Sequence, residues 1–159
     1  MGGAVVSCQL AVGSWQWGVE RLMARSNFEN LRVYQLAEEL ADRIWDMVIA
    51  WEYFAKDTVG KQIVKAADSI GANIAEGDGR GSYQDNRRFV RIARGSVNET
   101  RHWLRRAYQR GLLTDEQVAQ LRPILDELSP KLNAFLNSIG QPPKNKKDES
   151  NNQQPTTDN

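Results

Sequence analysis

Apolar side chains recur every three or four residues between Leu31 and about Ala55, which is the spacing of one face of an α-helix. That face holds Val33, Leu36, Ala37, Leu40, Ile44, Met47, Val48 and Trp51. A second apolar stripe, turned by roughly 120° from the first, holds Tyr34, Ala41, Trp45 and Ile49. Two apolar faces present more apolar surface than packing within one bundle would cover. The second stripe therefore predicts a contact between subunits, with a deeply buried position inside the monomer as the alternative.

The same periodicity predicts a second helix that begins near Asp57 or Thr58, either of which could be its N-cap, and runs to Glu76. Its core face holds Val59, Ile63, Ala66, Ala67, Ile70 and Ile74. The segment from Gly77 to Gly81 contains three glycines and should end the helix.

A third helix is predicted to open with Ser82 as N-cap and Asp85 three residues later. It should continue to about Arg110 and end at Gly111. Its predicted core face holds Phe89, Ile92, Ala93, Ser96, Val97, Thr100, Trp103, Leu104 and Ala107.

The fourth helix should start at Thr114, which forms a capping-box pattern with Gln117. Its bundle seam holds Val118, Leu121, Leu125, Leu128, Leu132, Phe135 and Ile139. Pro123 and Pro130 each remove a backbone donor and project away from the seam, so a bent or broken helix is expected. Ser129 followed by Pro130 could instead cap a new short helix.

Four helical segments with short connections and no strand pattern predict an all-α fold, an antiparallel up-down four-helix bundle over residues 27–139. Residues 1–26 lack periodicity and are expected to be an irregular, disordered arm or a misassigned start, with Met23 as the alternative start. Residues 140–159 are polar and rich in Lys, Asn and Gln, which predicts a disordered tail.

The total charge of +1 conceals a strong asymmetry along the chain. Residues 31–57 carry three basic and six acidic side chains, whereas residues 80–110 carry nine arginines against Asp85 and Glu99. The chain is therefore electrostatically bipolar, with a strongly basic third helix.

Six polar positions of the third helix follow one another at spacings of four and three, and five of them are arginine. We call this run the arginine stripe: Arg87, Arg91, Arg94, Asn98, Arg101 and Arg105. It should lie opposite the apolar face, with Arg88 to one side and Arg80 in the preceding loop. Like charges in a row repel, and arginine suits bidentate binding of phosphate or carboxylate. The stripe could bind a polyanion, contact another subunit or partner protein, or be a plain solvated surface.

Nothing in the sequence indicates catalysis, a metal or a cofactor. The loop Gly77–Gly81 lacks the Lys and Ser/Thr of a nucleotide-binding loop, and one cysteine with one histidine cannot build a zinc site. Asn73 and Glu76 are better explained as hydrogen-bonding the tight loop or a neighbouring helix than as acid–base groups. Lone Cys8 and the lack of a long apolar run suggest a cytoplasmic protein without a membrane span.

Residues 69–77, which read SIGANIAEG, resemble the signature of a small bacterial four-helix-bundle family. This family includes proteins encoded in intervening sequences of large-subunit ribosomal RNA and accessory variability proteins of diversity-generating retroelements. Supporting matches are Phe28, Leu31, the segment 93–96 (ARGS) and Glu99.

The resemblance implies a homopentamer and, as in the retroelement members, a basic surface that binds nucleic acid and a reverse transcriptase. It places five residues at motif positions, which we interpret as structural: Ser69, Asn73, Glu76, Ser96 and Glu99. The expected function is that of a non-enzymatic oligomeric accessory protein that binds RNA or DNA phosphates through the arginines. The alternative is a scaffold whose basic helix docks a reverse transcriptase or a neighbouring subunit.

Overall fold

The computed structural model describes residues 27–141, which fold as the predicted all-α four-helix bundle. We name its helices α1 (Arg32–Ile49), α2 (Lys61–Asp78), α3 (Tyr83–Gln109) and α4 (Asp115–Ser138). Each helix packs against the next, and α4 returns to α1. The predictions for residues 1–26 and for the tail beyond Gln141 lie outside the described residues.

The core of the bundle is built from the apolar faces that the periodicity of α1, α2 and α4 predicts. In α1 every predicted core residue from Val33 to Val48 is buried, and Trp51 packs half-buried against the core. In α2 the predicted residues from Val59 to Ile74 are all buried. The core face of α4 also takes in Ile124 and Leu136 beside the predicted seam. No helix among residues 27–141 combines the length and apolarity that crossing a bilayer requires.

The chain enters α2 through a short helix, Tyr53–Ala55, and a π-helical turn, Lys56–Gly60. The predicted N-cap at Asp57 or Thr58 is wrong, because both residues lie inside this turn. The Thr58 hydroxyl donates to the carbonyl oxygen of Phe54 at 2.7 Å, a bond to the preceding turn that a threonine inside a helix makes. The helical path therefore starts several residues earlier than its sequence signals indicate.

Helix α3 begins and ends as predicted but buries a slightly different face. Ser82 accepts a hydrogen bond from the backbone N–H of Asp85, and Gly111 has a φ of 68° just after the helix. Val90, absent from the predicted face, is fully buried, whereas Ile92 is 43% exposed. The apolar face is thus rotated toward Val90, and Ile92 lies at its edge.

Helix α4 is continuous across both prolines, so the expected break is wrong. Thr114 and Gln117 form the complete capping box, and the helix runs from Asp115 to Ser138. Pro123 and Pro130 are exposed, so the carbonyl groups four residues before them can be hydrated. The Ser129 hydroxyl donates to the Leu125 carbonyl oxygen at 3.0 Å, which places it inside the helix and not at a new cap.

Helices α2 and α3 pack closely at Gly77. A Cβ atom on this residue would lie 2.9 Å from Oδ1 of Asn86 and 3.1 Å from Cβ of Phe89. Such separations are shorter than van der Waals contact, so only a residue without a side chain fits here. The glycine that was predicted to end the helix is therefore also a packing position.

The second apolar stripe of α1 divides into two halves. Tyr34 and Ala41 are half-buried and pack against the core, which matches the alternative of burial inside the monomer. Trp45 and Ile49 remain exposed, by 55% and 50% of their surfaces. The half of the stripe at the C-terminal end of α1 is therefore the part that is available for another molecule.

Candidate nucleic-acid interface

The arginine stripe lies along the edge of α3 that faces α4, and not opposite the core as its spacing predicts. Arg87 donates to the Ile139 carbonyl oxygen at 3.2 Å, and Arg101 donates to that of Leu125 at 3.2 Å. Both arginines are half-buried against α4. The long side chains lean over the neighbouring helix, as arginine stems do on apolar surface. The stripe is therefore anchored at two points by backbone carbonyls.

The exposed arginines of the stripe are Arg91, Arg94 and Arg105. Arg94 approaches Oδ1 of Asn133 at 3.5 Å, the long limit of a hydrogen bond. Among residues 27–141 no stripe arginine pairs with a carboxylate, and the ion pairs of this region use Arg32, Arg43, Lys61, Arg80 and Lys131. Each guanidinium has five N–H donors, so donors remain available even on the anchored arginines. Within the described residues the edge is thus a row of arginines without ion-pair partners.

Two further candidate arginines lie apart from the stripe. Arg80 forms an ion pair with Glu76, and its guanidinium carbon lies 5.0 Å from the ring centre of Phe89. Arg88 is exposed but is turned by about 100° from Arg87 around the α3 axis. The structure therefore does not add these two side chains to the same row.

The C-terminal part of the stripe borders a groove between α3 and α4 of about 840 Å³, the α3–α4 groove. Its cations are Arg101, Arg105 and Arg122, its carboxylates are Asp115 and Asp126, and its apolar residues include Leu104, Val118, Leu121 and Leu125. The hydroxyl of Tyr108 donates to Asp115 at 2.8 Å, and this bond raises the pKa of Tyr108. Sequence reasoning missed Arg122, because an isolated arginine on α4 gives no signal until the helices are packed.

The motif residues bond mostly to their own helices. The Ser69 hydroxyl donates to the Lys65 carbonyl oxygen at 2.7 Å, and the Asn73 amide donates to the Ser69 carbonyl oxygen at 2.6 Å. Ser96 is buried and donates to the Ile92 carbonyl oxygen at 3.3 Å, while Glu99 is exposed. Glu76 reaches the loop through Arg80, but Asn73 bonds no neighbouring helix. The hydrogen bonds of these motif residues therefore lie within α2, its C-terminal loop and α3.

Acidic side chains line a second, smaller groove on the far side of α2. This α1–α2 groove of about 240 Å³ includes Tyr34, Glu38, Asp42 and Asp68. Partial burial, and then the charge of Asp42, raise the pKa of the Asp68 carboxyl. Burial, and then a hydrogen bond with Glu38, raise the pKa of Tyr34 to about 12. The charged residues that line the α1–α2 groove are thus all carboxylates.

Replacing Asp68 by asparagine should stabilise the protein at neutral pH by roughly a few tenths of a kcal/mol, since the largely solvated carboxyl is well screened. A carboxyl whose pKa is raised by folding favours the folded state at low pH, and this advantage is lost as the pH rises through the folded pKa. The stabilising effect of Asp68→Asn should therefore disappear below the ordinary Asp pKa of 3.8. Urea unfolding at pH 7 and pH 3 measures the difference.

The variant Asp42→Asn should give part of the same stabilisation, because it removes the neighbouring charge. The double variant should therefore gain less stability than the sum of the two single variants. A loss of stability at pH 7 would contradict the assignment.

Comparisons with known proteins agree with this fold. The family model of the 23S rRNA-intervening sequence protein matches residues 29–134. A crystal structure of a protein of unknown function from the S23 ribosomal protein family of Bacteroides thetaiotaomicron superposes with a TM-score of 0.59 and is 27% identical. The match covers 67% of this chain and 99% of that one. No curated protein matches the chain, and the resemblance to retroelement accessory proteins stays a prediction. Because the family model spans more than half of the 159 residues, the chain belongs to the 23S rRNA-intervening sequence protein family.

Proposed function

We propose that this protein is a non-enzymatic accessory protein that binds the phosphate groups of nucleic acid through the arginine stripe. The observation that carries the proposal is a continuous row of arginines that are not engaged in ion pairs. Five arginines follow one helix edge from Arg87 to Arg105, about 27 Å at ~1.5 Å per residue. Among the described residues no carboxylate is paired with any of them. A polyanion supplies a matching row of negative charges.

The geometry favours contact with the nucleic-acid backbone over reading of bases. Arg91 and Arg94 present exposed guanidinium groups, which can bind phosphate oxygens in a bidentate manner. Arg87 and Arg101, held by backbone carbonyls, lose less side-chain entropy when they bind. The stripe itself contains no aromatic side chain on which bases could stack. Binding should therefore be strongly salt-dependent and only weakly dependent on sequence.

A second candidate function is a scaffold that docks a protein, such as a reverse transcriptase or a neighbouring subunit. The observation that favours it is the α3–α4 groove, in which Arg101, Arg105 and Arg122 surround apolar residues and two carboxylates. Mixed apolar and charged surfaces of this kind are typical of protein interfaces. The homopentamer that the family resemblance implies would give such a scaffold several copies of the groove.

The test is fluorescence anisotropy of labelled RNA and DNA at several salt concentrations. Arg91→Glu/Arg94→Glu should lower the affinity by at least about tenfold at low salt and reduce the salt slope by about two phosphate contacts. These positions are chosen because both side chains are exposed and neither bonds the backbone of α4.

The matched control is Lys65→Glu/Arg110→Glu, which makes the same change of net charge at exposed positions outside the stripe. It should retain most of the affinity, because bound phosphates would not contact those side chains. Equal losses in the two variants would show a non-specific effect of net charge. Absence of binding by the wild-type protein at low salt would reject the proposal and favour the scaffold.

A further inference from the structure

The α3–α4 groove has an apolar lining that the bundle core supplies from both helices and the turn between them. Leu113, Leu121 and Leu125 are buried members of the core, and Leu104 and Val118 pack half-buried against it. The volume of about 840 Å³ lies within the range of about 300–1,000 Å³ that is typical of small-molecule sites. The groove is therefore a concave apolar site that a single chain forms by itself.

Three arginines from two helices border this apolar lining. Arg101 and Arg105 come from α3 and Arg122 comes from α4. Arg101 is held in place by the carbonyl oxygen of Leu125 at 3.2 Å. Among residues 27–141 none of the three is engaged in an ion pair, although Arg122 lies only four residues before Asp126. Guanidinium N–H donors are therefore available to an anion on both sides of the groove.

The charges of the groove select an anion with a single charge. Three arginines stand against the two carboxylates of Asp115 and Asp126, so the lining has one positive charge in excess. The Asp115 carboxylate accepts a hydrogen bond from Tyr108 at 2.8 Å and remains in the groove. A phosphate chain would be repelled by both carboxylates, and the apolar residues would offer it no hydrogen bonds. A singly charged ligand with an apolar body matches the charge and the lining together.

We propose that the α3–α4 groove binds an aliphatic carboxylate, a single carboxylate group on an acyl chain. The carboxylate accepts hydrogen bonds from Arg105 and Arg122, because the planar guanidinium matches its two oxygens. The acyl chain covers the apolar lining, in which Tyr108 is the single aromatic residue. On α4 this lining extends from Val118 to Leu125, about 10 Å at ~1.5 Å per residue, which suits a chain of medium length.

This site is separate from the nucleic-acid contact that the stripe is proposed to make. Arg105 belongs to both surfaces, but Arg91 and Arg94 lie outside the groove. The variant Arg91→Glu/Arg94→Glu leaves every lining residue of the groove in place, so it should bind an aliphatic carboxylate as the wild type does. Failure of either proposal can therefore be recognised without reference to the other.

The test is isothermal titration calorimetry of the full chain, free of nucleic acid, with octanoate below its micelle-forming concentration. One octanoate should bind to each chain. Octanol has the same chain without the charge, and butanoate has the same charge on a shorter chain. Each should bind at least about tenfold more weakly, because octanol loses the charged hydrogen bonds and butanoate loses most of the apolar contact.

Two variants locate the binding in the groove. Arg105→Gln/Arg122→Gln should weaken octanoate at least about tenfold and leave octanol unchanged, a selectivity that a general disturbance of the fold would not produce. Ala119→Trp, at an exposed position of the lining, fills the groove and should weaken both ligands. The matched control Arg88→Gln/Arg110→Gln removes two exposed charges outside the groove and should bind octanoate as the wild type does.

Far-UV circular dichroism establishes that the variants are folded, and either variant alone is sufficient to locate the site. A wild type that does not bind octanoate would overturn the proposal and leave the groove to a protein surface. Equal octanoate affinity of the wild type and Arg105→Gln/Arg122→Gln would also overturn it. So would the binding of many octanoate molecules to each chain, because that would show adsorption to any exposed apolar surface.

Discussion

Replacing Pro130 by alanine should stabilise the protein by about 2 kcal/mol. The residue lies inside the continuous helix α4 and is exposed, so its ring makes no core contact that alanine would lose. Proline in a helix interior costs roughly 3 kcal/mol relative to alanine, because it removes one hydrogen bond and crowds the preceding turn. About 0.4–1 kcal/mol of this is offset, since alanine leaves the unfolded chain freer than proline does.

Urea unfolding and the melting temperature measure this change. Gln120→Ala, at another exposed position of α4, is the control and should change the free energy of unfolding by no more than about 0.5 kcal/mol. A Pro130→Ala variant that is no more stable than the wild type would mean that α4 is interrupted at this residue. The experiment therefore decides between the observed continuous helix and the break that the prolines suggest.

Substituting alanine for glycine should have opposite effects at Gly77 and Gly95. At Gly77 the new Cβ atom would lie 2.9 Å from Oδ1 of Asn86, and the loss should be about 1–3 kcal/mol because α2 and α3 must move apart. At Gly95, inside α3, no atom lies within 4 Å of the new Cβ. There alanine should stabilise the helix by about 0.5–1 kcal/mol, because glycine loses more backbone entropy on folding.

Both substitutions add a single methyl group to a helix, so a difference between the two variants reports the packing around each glycine. Their free energies of unfolding, measured in urea with equal m-values, should lie on opposite sides of the wild type. A Gly77→Ala variant as stable as the wild type would show that Asn86 and Phe89 yield without cost. The contact between α2 and α3 would then be looser than the structure gives.

Helix periodicity predicts most of the fold, because the residues that share an apolar face in the sequence pattern are mostly the residues that the bundle buries. At the edges of an apolar face periodicity does not decide which residues are covered. Val90 and Ile92 differ by about 200° around the α3 axis, and α3 buries Val90 and leaves Ile92 43% exposed. Capping signals were correct at Ser82 and Thr114 but wrong at Thr58. A threonine hydroxyl can bond the preceding turn as well as cap a helix, and only the surrounding chain determines which it does.

The arginines of the stripe could be predicted from the sequence, but the groove beside them and Arg122 could not. The spacing of the stripe places Arg87 to Arg105 on one edge, yet it does not show that α4 lies beside that edge. The groove, and the position of Arg122 in it, arise from the packing of α3 against α4, which no single-helix pattern reports. Likewise Trp45 and Tyr34 belong to one stripe in the sequence, but only the bundle shows which of them is covered.

The π-helical turn Lys56–Gly60 has a consequence for the direction of the aromatic residues before it. A π turn contains one residue more than an α turn, which shifts the preceding chain by about 100° around the helix axis. Tyr53 and Phe54, which are 80% and 79% exposed, lie directly before this turn, so the inserted position sets the direction in which both rings project. Shortening the turn by one residue should rotate both rings by about 100° around the axis of α2.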